Sequence, residues 1–232
     1  MREAVIAGGG HAEAVGGALC FVHEKLPIPE LNRTLPLGPA IDLDAIERWY
    51  HGRAYTVSVS PGCEELEPEL HARGYERGYA WMKFERGDDP PPAVTTDLHV
   101  APTLDPEPFA RVAVGSGLPL GPSETLAVIV GAPGWQCFVA WAGGEPAGIG
   151  SLYVDGRTAW LGIAFTRPEF RGRGAQTAIL AARIEAARAA GATTLTTETG
   201  ERVEGRPDQS YRNILRAGFR EAYLRPNWRS PE

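Results

Sequence analysis

The residues with the clearest chemical potential form a short run, Arg171-Gly172-Arg173-Gly174, between an apolar strand pattern and an alanine-rich helix pattern. Glycine lets the backbone adopt positive φ and come close to a ligand. A helix that begins here directs its free N–H groups and the positive end of its dipole at the loop. The arginines add charge and hydrogen-bond donors. The run therefore predicts a cradle for phosphate or pyrophosphate.

Two common phosphate-binding motifs do not match this loop. It has no GxxxxGK[ST] pattern of a Walker loop, and it lacks the third glycine of a dinucleotide-binding fingerprint. The strand pattern before it and the amphipathic helix pattern after it favour the cradle. A simple tight turn stays open as the alternative.

The elements that must position this loop follow from local patterns over residues 98–228. Strands are predicted at 98–102, 136–142, 147–154, 158–165, 192–199 and 219–228, and helices within 105–131 and at 174–190 and 208–217. Pro168 ends the strand before the loop, and Gly191 ends the long helix. A strand meander followed by strand–helix–strand–helix–strand predicts a mixed α/β fold.

The composition is that of an ordinary globular protein, with 232 residues, 43% hydrophobic and 22% charged. No apolar run approaches the roughly 18 residues of a membrane span, so we expect no membrane partner. The N-terminus lacks the continuous core of a secretory signal, and three separated cysteines fit neither a disulfide framework nor a metal site. These features predict a cytoplasmic protein, and 21 arginines against 2 lysines suggest a GC-rich bacterial gene.

The charge is distributed unevenly along the chain. The net charge of -6 argues against a general nucleic-acid binder. Residues 167–232 nevertheless contain 12 arginines and 8 acidic residues, a balance of +4 that leaves -10 for the rest. Positive charge concentrated around the loop is the balance expected for a polyanionic small-molecule ligand.

The sequence also predicts two units. The proline run within Gly87–Asp97 is typical of a stiff extended linker and divides the chain into residues 1–95 and 96–232. Residues 70–84 resemble residues 214–228 at a constant offset of 144, with a glycine matched in each. The first unit therefore looks like a partial copy of the second without the RGRG run, with chance similarity as the alternative.

The run Arg171 to Gln176, three residues after Pro168, resembles the acetyl-CoA loop of the GNAT (Gcn5-related) N-acetyltransferases, whose pattern is [Q/R]-x-x-G-x-[G/A]. Residues 210–219 resemble the family's later helix that ends in Gly-Phe. The resemblance covers roughly residues 97–228. It implies a GNAT-like mixed sheet with helices on both faces, plus a smaller α/β N-terminal unit resembling a partial GNAT repeat.

The resemblance further implies acetyl-CoA as the cofactor. The pyrophosphate would lie on the backbone amides of residues 172–177, and the pantetheine arm would pair with the strand end where two sheet strands splay apart. The cofactor contacts implied are Ala164, Phe165, Thr166, Arg171, Gly172, Arg173, Gly174, Ala175, Gln176, Thr177, Ser210 and Asn213.

Three positions depart from the family pattern. Gln176 stands where glycine or alanine is preferred, and Pro207 stands where many members have an asparagine that touches the cofactor. Ile214 occupies the place of the tyrosine that often protonates the leaving thiolate. Tyr211, one turn earlier, is the alternative acid. Thiolate departure without an acid is feasible because a thiol pKa lies near 8.5, roughly as for free cysteine.

Among titratable residues, Glu198 at the end of the predicted strand 192–199 is the best-placed general base, with a solvated strand-end carboxylate as the alternative. The predicted function is an acetyl-CoA-dependent N-acetyltransferase acting on the amine of a small molecule or peptide by direct attack on the thioester. A catalytically silent acyl-CoA-binding or interaction module is the alternative function, and a homodimer is compatible with either.

Overall fold

Two mixed β-sheets and the helices packed on them make up the computed structural model, which describes residues 9–23, 32–115 and 124–231. The chain divides into one unit of residues 1–82 with 223–232 and a second unit of residues 83–222. The predicted units had placed residues 83–95 in the first unit and 223–232 in the second.

The second unit is built on a seven-stranded sheet. Its strands are β6 (Trp81–Arg86), β7 (His99–Thr103), β8 (Trp135–Ala142), β9 (Glu145–Asp155), β10 (Thr158–Thr166), β11 (Thr194–Gly200) and β12 (Arg220–Arg225). Their spatial order is β12-β6-β11-β10-β9-β8-β7. The strands β7 to β10 are antiparallel neighbours, whereas β10 and β11 are parallel.

Helices cover both faces of this sheet, as predicted. They are α3 (Pro106–Gly115), α4 (Glu124–Ala127), α5 (Ala175–Ala189) and α6 (Gln209–Arg216). The parallel pair β10–β11 requires a crossover, and α5 provides it while burying Ile179 and Ile184. None of the helices in the described ranges is long and apolar enough to cross a membrane.

The first unit is built on a six-stranded sheet. Its elements are β1 (Gly10–Val15), β2 (Ala18–His23), β3 (Arg33–Leu37), α1 (Leu43–Tyr50), β4 (Thr56–Val59), α2 (Glu67–Ala72), β5 (Glu76–Arg77) and β13 (Asn227–Arg229). The sheet order is β1-β2-β3-β4-β13-β5. Its core gathers Ile46, Tyr50, Val57, Leu70 and Trp228.

The two units repeat one local design, which supports the sequence echo. Both run through three antiparallel strands, a helix, a parallel strand, a helix and a last strand. The helices before Gly74 and Gly218 also end in the same Schellman cap, with both glycines at φ +83°. The cap bonds are Gly74 N to His71 O and Tyr75 N to Leu70 O in one unit, and Gly218 N to Leu215 O and Phe219 N to Ile214 O in the other.

The prediction of one continuous strand over residues 219–228 is wrong. It is two strands, β12 in the seven-stranded sheet and β13 in the six-stranded sheet. Pro226 separates them, because proline has no N–H to donate to a ladder. The chain can therefore leave one sheet at this residue and enter the other.

Replacing Trp228 by alanine is expected to lower the free energy of unfolding by about 3 kcal/mol, because a buried indole would leave a cavity. Trp228 is 5% exposed and belongs to the core of the first unit. Equilibrium urea unfolding measures the change. Leu224→Ala, at a side chain 39% exposed on β12, is the control and should cost well under 1 kcal/mol, as surface substitutions do. Equal losses in both variants would contradict the assignment of β13 to the core.

Candidate active site

The predicted phosphate loop lies between β10 and α5. A single 3-10 turn, Pro168–Phe170, follows β10, and the loop then passes through Gly172 at φ +79° and Gly174 at φ +82° before α5 begins. Gly174 is the N-cap residue and provides no side chain to cap the helix. Within the described residues, the backbone N–H groups of residues 172–177 have no hydrogen-bond acceptor. Six successive donors are therefore available to an anion.

A segment that directly precedes β7 braces this loop. Thr96 Oγ1 donates to the carbonyl of Arg173 over 2.5 Å, and the Asp97 carboxylate pairs with the Arg173 guanidinium. The hydrogen bond from Arg173 lowers the pKa of Asp97. A Cβ on Gly174 would lie 2.9 Å from the carbonyl oxygen of Thr95. Residues 95–97, predicted as the end of a linker, are thus part of the loop's support.

The two arginines of the run have different surroundings. Arg173 is held by Asp97, and its guanidinium also lies over the ring of Phe170 at 5.6 Å. Arg171 is exposed, and its side chain makes no ion pair or hydrogen bond to the part of the chain that the structure describes. Arg171 is therefore the arginine whose charge and donors are available to a ligand.

Gln176, a departure from the family pattern, connects the starts of two helices. Its side-chain oxygen accepts a hydrogen bond from Asn213 Nδ2 over 2.6 Å, and its amide nitrogen donates to Ser210 Oγ over 3.3 Å. Three of the predicted contact residues are thereby brought together where α5 and α6 begin. The glutamine is satisfied by protein groups, which explains why a long polar side chain is accommodated here.

Replacing Gln176 by alanine is expected to weaken CoA binding about fivefold, the equivalent of about 1 kcal/mol for lost hydrogen bonds that hold the two helix starts together. Calorimetric titration with CoA measures the effect. Gln209→Ala is the matched control, because Gln209 also bonds to Asn213 but lies on the exposed side of α6. An affinity that is unchanged in Gln176→Ala would show that this connection does not support the loop.

The strand β10 leaves its parallel neighbour halfway along its length. Its pairing with β11 ends at Leu161 and Thr197, although β10 itself continues to Thr166. The Thr197 hydroxyl donates to the Leu161 carbonyl over 2.7 Å. On the other side, the register with β9 shifts between Gly162 and Phe165, and Ile163 has φ +46°. A β-bulge therefore accompanies the splay that was predicted here.

Beyond the bulge, backbone groups point into the gap left by β11. The amide of Arg167 donates to the Ala147 carbonyl, so the backbone groups of Phe165, two residues earlier, also face β9. By the alternation of an extended strand, those of Ala164 and Thr166 face the open side. An extended amide-containing arm could pair with these two residues.

The predicted base lies at the level of the splay. Trp160 pairs with Thr196, so Glu198, two residues on, is level with Gly162 and shares its face of the sheet. The Glu198 carboxylate forms an ion pair with Lys83 of β6, and their side chains are 18% and 15% exposed. Glu198 is thus a sheltered, paired carboxylate, and Lys83 is a partner that sequence analysis missed.

Tyr211, the predicted alternative acid, is hydrogen-bonded to Glu221. Its hydroxyl donates to Glu221 Oε1 over 2.5 Å, its ring meets Phe84 edge-on, and the Arg202 guanidinium lies 4.2 Å from the ring centroid. Burial, with the hydrogen bond to Glu221, raises the pKa of Tyr211 to about 12. Its proton is therefore held firmly, and its role as an acid stays a prediction. Ile214 is buried, 4% exposed.

An aromatic cluster borders the bulge on the face opposite α5. The ring centroids of Trp135 and Tyr153 are 5.1 Å apart, and those of Trp135 and Trp160 are 6.0 Å apart. The indole of Trp160 covers Gly162, where an added Cβ would overlap the ring. No three His, Cys, Asp or Glu side chains of the described residues are arranged to hold a metal ion.

Comparison with known proteins agrees with this geometry. Residues 116–204 match the model of the acetyltransferase (GNAT) family. A comparison with curated protein sequences gave no match. Among solved structures, a GCN5-related N-acetyltransferase from Kribbella flavida is similar at 16% identity, with 100% of this chain and 97% of that chain covered and a TM-score of 0.67.

Two further structures extend the comparison. A tandem GNAT protein from the clavulanic acid biosynthesis pathway shows 21% identity, coverage of 94% of this chain and 80% of that chain, and a TM-score of 0.63. A GCN5-related N-acetyltransferase from Sphaerobacter thermophilus shows 19% identity and a TM-score of 0.61; the match covers 81% of this chain and 64% of that chain. At these identities the likeness concerns the fold. The family model thus places a GNAT acetyltransferase domain at residues 116–204, and the solved structures show that the chain shares the fold.

Proposed function

We propose that the second unit is an acetyl-CoA-dependent N-acetyltransferase that transfers the acetyl group to the amine of a small molecule or peptide. The observation that carries the proposal is the run of six backbone N–H groups, residues 172–177, that find no acceptor in the part of the chain that the structure describes and that closely follow a strand that has left its neighbour. A pyrophosphate with an extended arm matches both features. The arm would follow the open edge of β10, and the pyrophosphate oxygens would accept hydrogen bonds from the backbone amides of residues 172–177.

The residues that would hold the ligand fit its charge. The N-terminus of α5 and the exposed Arg171 supply positive potential and donors for the pyrophosphate. The starts of α5 and α6, joined through Gln176, provide further polar groups beside it. The backbone of Ala164 and Thr166 would pair with the amides of the pantetheine arm. Acetyl-CoA supplies the acetyl group as an activated thioester.

Two protein groups would take part in the reaction, a backbone N–H of β10 and the carboxylate of Glu198. A backbone N–H at the end of β10 would donate to the acetyl carbonyl oxygen and stabilise the negative charge that develops there. Glu198, on the adjacent strand at the level of the bulge, would accept the proton that the attacking amine must lose. Most of the rate gain would come from holding amine and thioester in line for direct attack.

The leaving thiolate needs no dedicated acid in this scheme. The Tyr211 hydroxyl donates a hydrogen bond to Glu221, and the family's usual tyrosine position is the buried Ile214. A thiolate with an ordinary thiol pKa of about 8.5 leaves without a proton near neutral pH. The amine's proton would pass to Glu198 and then to solvent.

The first unit should not bind CoA in the same manner. Its equivalent helix, α1, is capped by the Asp42 carboxylate, which accepts a hydrogen bond from the Ala45 amide over 2.9 Å. That charge occupies the place of an anion and would repel pyrophosphate. The turn at Gly16 also covers the loop, because an added Cβ would overlap the Asp42 carbonyl. We therefore interpret this unit as a degenerate GNAT-like repeat.

A catalytically silent acyl-CoA-binding module is the second candidate. The observation in its favour is that Ile214 replaces the usual acid while Tyr211 is held by Glu221. Such a module would use the same loop and strand edge for binding. It would lack turnover on any amine.

Two measurements test the proposal and separate the candidates. Calorimetric titration with CoA should show one site per chain, and acetyl-CoA mixed with a panel of primary amines and peptides should release free thiol only with an accepted amine. Binding without thiol release on any amine would favour the silent module. The absence of CoA binding would overturn both.

A further inference from the structure

The helix α5 places a charged side chain, Arg183, in the middle of the sheet's core. Arg183 is 1% exposed, and its hydrogen-bond partners among the described residues are backbone carbonyls and not carboxylates. Burial lowers the pKa of Arg183 to about 9. An apolar side chain would fill this space without removing a charge from water, so packing alone does not account for an arginine here.

The guanidinium is bonded to backbone carbonyls on both strands of the bulged pair. Nη1 donates to Ser151 O over 3.0 Å and to Gly162 O over 3.1 Å, and Nε donates to Ile179 O over 3.2 Å. Ser151 and Gly162 form the last regular pair of β9 and β10 before the register shift. The Ser151 hydroxyl adds a second hydrogen bond to Gly162 O, at 2.9 Å. Arg183 thus clamps the two strands where the bulge begins.

Gly150, the residue of β9 opposite the bulge, has no side chain and so leaves room for the Arg183 side chain. Two residues of β10, 163 and 164, face the single Gly150 of β9. A Cβ on Gly150 would lie 2.9 Å from Arg183 Nε and would overlap the side chain of Ile179. Gly150, Ser151 and Arg183 therefore form one unit, which we name the bulge clamp.

We infer that Arg183 is a positioning residue for the pantetheine-binding edge of β10. The inference rests on the proposed function, because it is the proposed ligand that would pair with Ala164 and Thr166. The bulge sets which backbone groups face the gap beyond Leu161. A strand without the clamp can slip toward the regular register, which would turn these groups away. The pyrophosphate loop has its own brace at Thr96 and Asp97 and does not depend on the clamp.

This separation of the two binding regions makes the inference testable with two probes. CoA contacts both regions, whereas 3′-phosphoadenosine 5′-diphosphate carries the pyrophosphate and lacks the pantetheine arm. In Arg183→Met we expect the dissociation constant for CoA to rise about tenfold, as for one or two lost hydrogen bonds, while that of the shorter probe stays within about twofold. Arg183→Lys keeps a charged donor and should restore part of the CoA affinity.

Three further variants keep the test decisive if Arg183→Met is unstable. Ser151→Ala removes one hydroxyl of the clamp, and Gly150→Ala places a methyl group against Arg183; both should weaken CoA selectively. Arg188→Lys, on the same helix and partly exposed, is the control and should change neither probe. Thermal unfolding shows that each variant is folded at the assay temperature.

The outcomes separate this inference from the proposed function. Equal weakening of both probes, or no weakening in any clamp variant, would overturn the positioning role while leaving CoA binding intact. A wild-type protein that binds neither probe would overturn the proposed function and this inference with it. With an accepted amine in hand, we also expect the KM for acetyl-CoA to rise in Arg183→Lys while the pH dependence of kcat stays unchanged, since the base is untouched.

Discussion

Replacing Gly174 by tryptophan is expected to abolish measurable CoA binding. Gly174 has φ +82°, and an added Cβ would lie 2.9 Å from Thr95 O and 3.2 Å from Thr96 Cβ. An indole must therefore displace the brace or enter the space onto which the amides of residues 172–177 open. Losing two charge-assisted hydrogen bonds to phosphate corresponds to a rise in the dissociation constant of about 100-fold or more. Calorimetric titration with CoA measures it.

Two other glycine variants serve as comparisons for Gly174→Trp, one within the loop and one outside it. A Cβ at Gly172 would meet no atom of the described residues within 4 Å, so the positive φ is what opposes Gly172→Ala, and about tenfold weaker binding is expected. Gly156→Trp also changes a glycine at positive φ, but in the open turn between β9 and β10, and should bind CoA as the wild type does. Wild-type affinity in Gly174→Trp would contradict the phosphate cradle.

Replacing Glu198 by glutamine is expected to lower kcat/KM by about 100- to 10,000-fold, the usual loss on removing a general base. The glutamine keeps the size of the side chain and its place on β11, so CoA affinity should stay within about twofold. Initial rates of thiol release, measured from pH 6 to 10 with an accepted amine, check the result. High pH should recover part of the activity, because the amine then loses its proton to solvent.

A variant of Lys83 is needed to separate the loss of the base from the loss of its ion pair with Lys83. Glu198→Gln leaves the Lys83 ammonium, only 15% exposed, without its carboxylate, so some loss of stability is expected in addition to the loss of activity. Lys83→Gln removes the ammonium instead. It should retain turnover and shift the acidic limb of the rate profile to higher pH, because a nearby cation favours the ionised carboxylate. Undiminished turnover both in Glu198→Gln and in the variant that combines it with Lys83→Gln would exclude Glu198 as the base.

Much of the fold was predictable because the deciding interactions are local. Pro168, Gly174 and Gly191 restrict the backbone at their own positions, and the strand–loop–helix order around them followed from these restrictions and from apolar periodicity. The shared helix caps at Gly74 and Gly218 involve hydrogen bonds that reach back at most five residues. The matching sequences at these two caps therefore predicted matching cap structures, although the two helices belong to units with different sheets.

The structure decided features that join distant parts of the chain. Thr96 reaches the phosphate loop across 77 positions, and Lys83 meets Glu198 across a longer interval still. Neither contact has a local signal, because a threonine after a proline run and a lone lysine are common in sequences. The sheet order, in which β6 lies beside β11, brings Lys83 to the site.

By itself, then, the sequence determined a mixed α/β protein with a glycine-rich loop before its long helix, for which anion binding stays a prediction, and the resemblance carried by that loop pointed to the acetyltransferase family. Tertiary structure alone decided that Gln176 would bond to Asn213, that Tyr211 would donate to Glu221 and that Pro226 would divide the last strand between two sheets. The physical reason is that backbone stereochemistry acts within a few residues. Side-chain partners depend on which strands and helices become neighbours, and that choice is made by burial of the whole core.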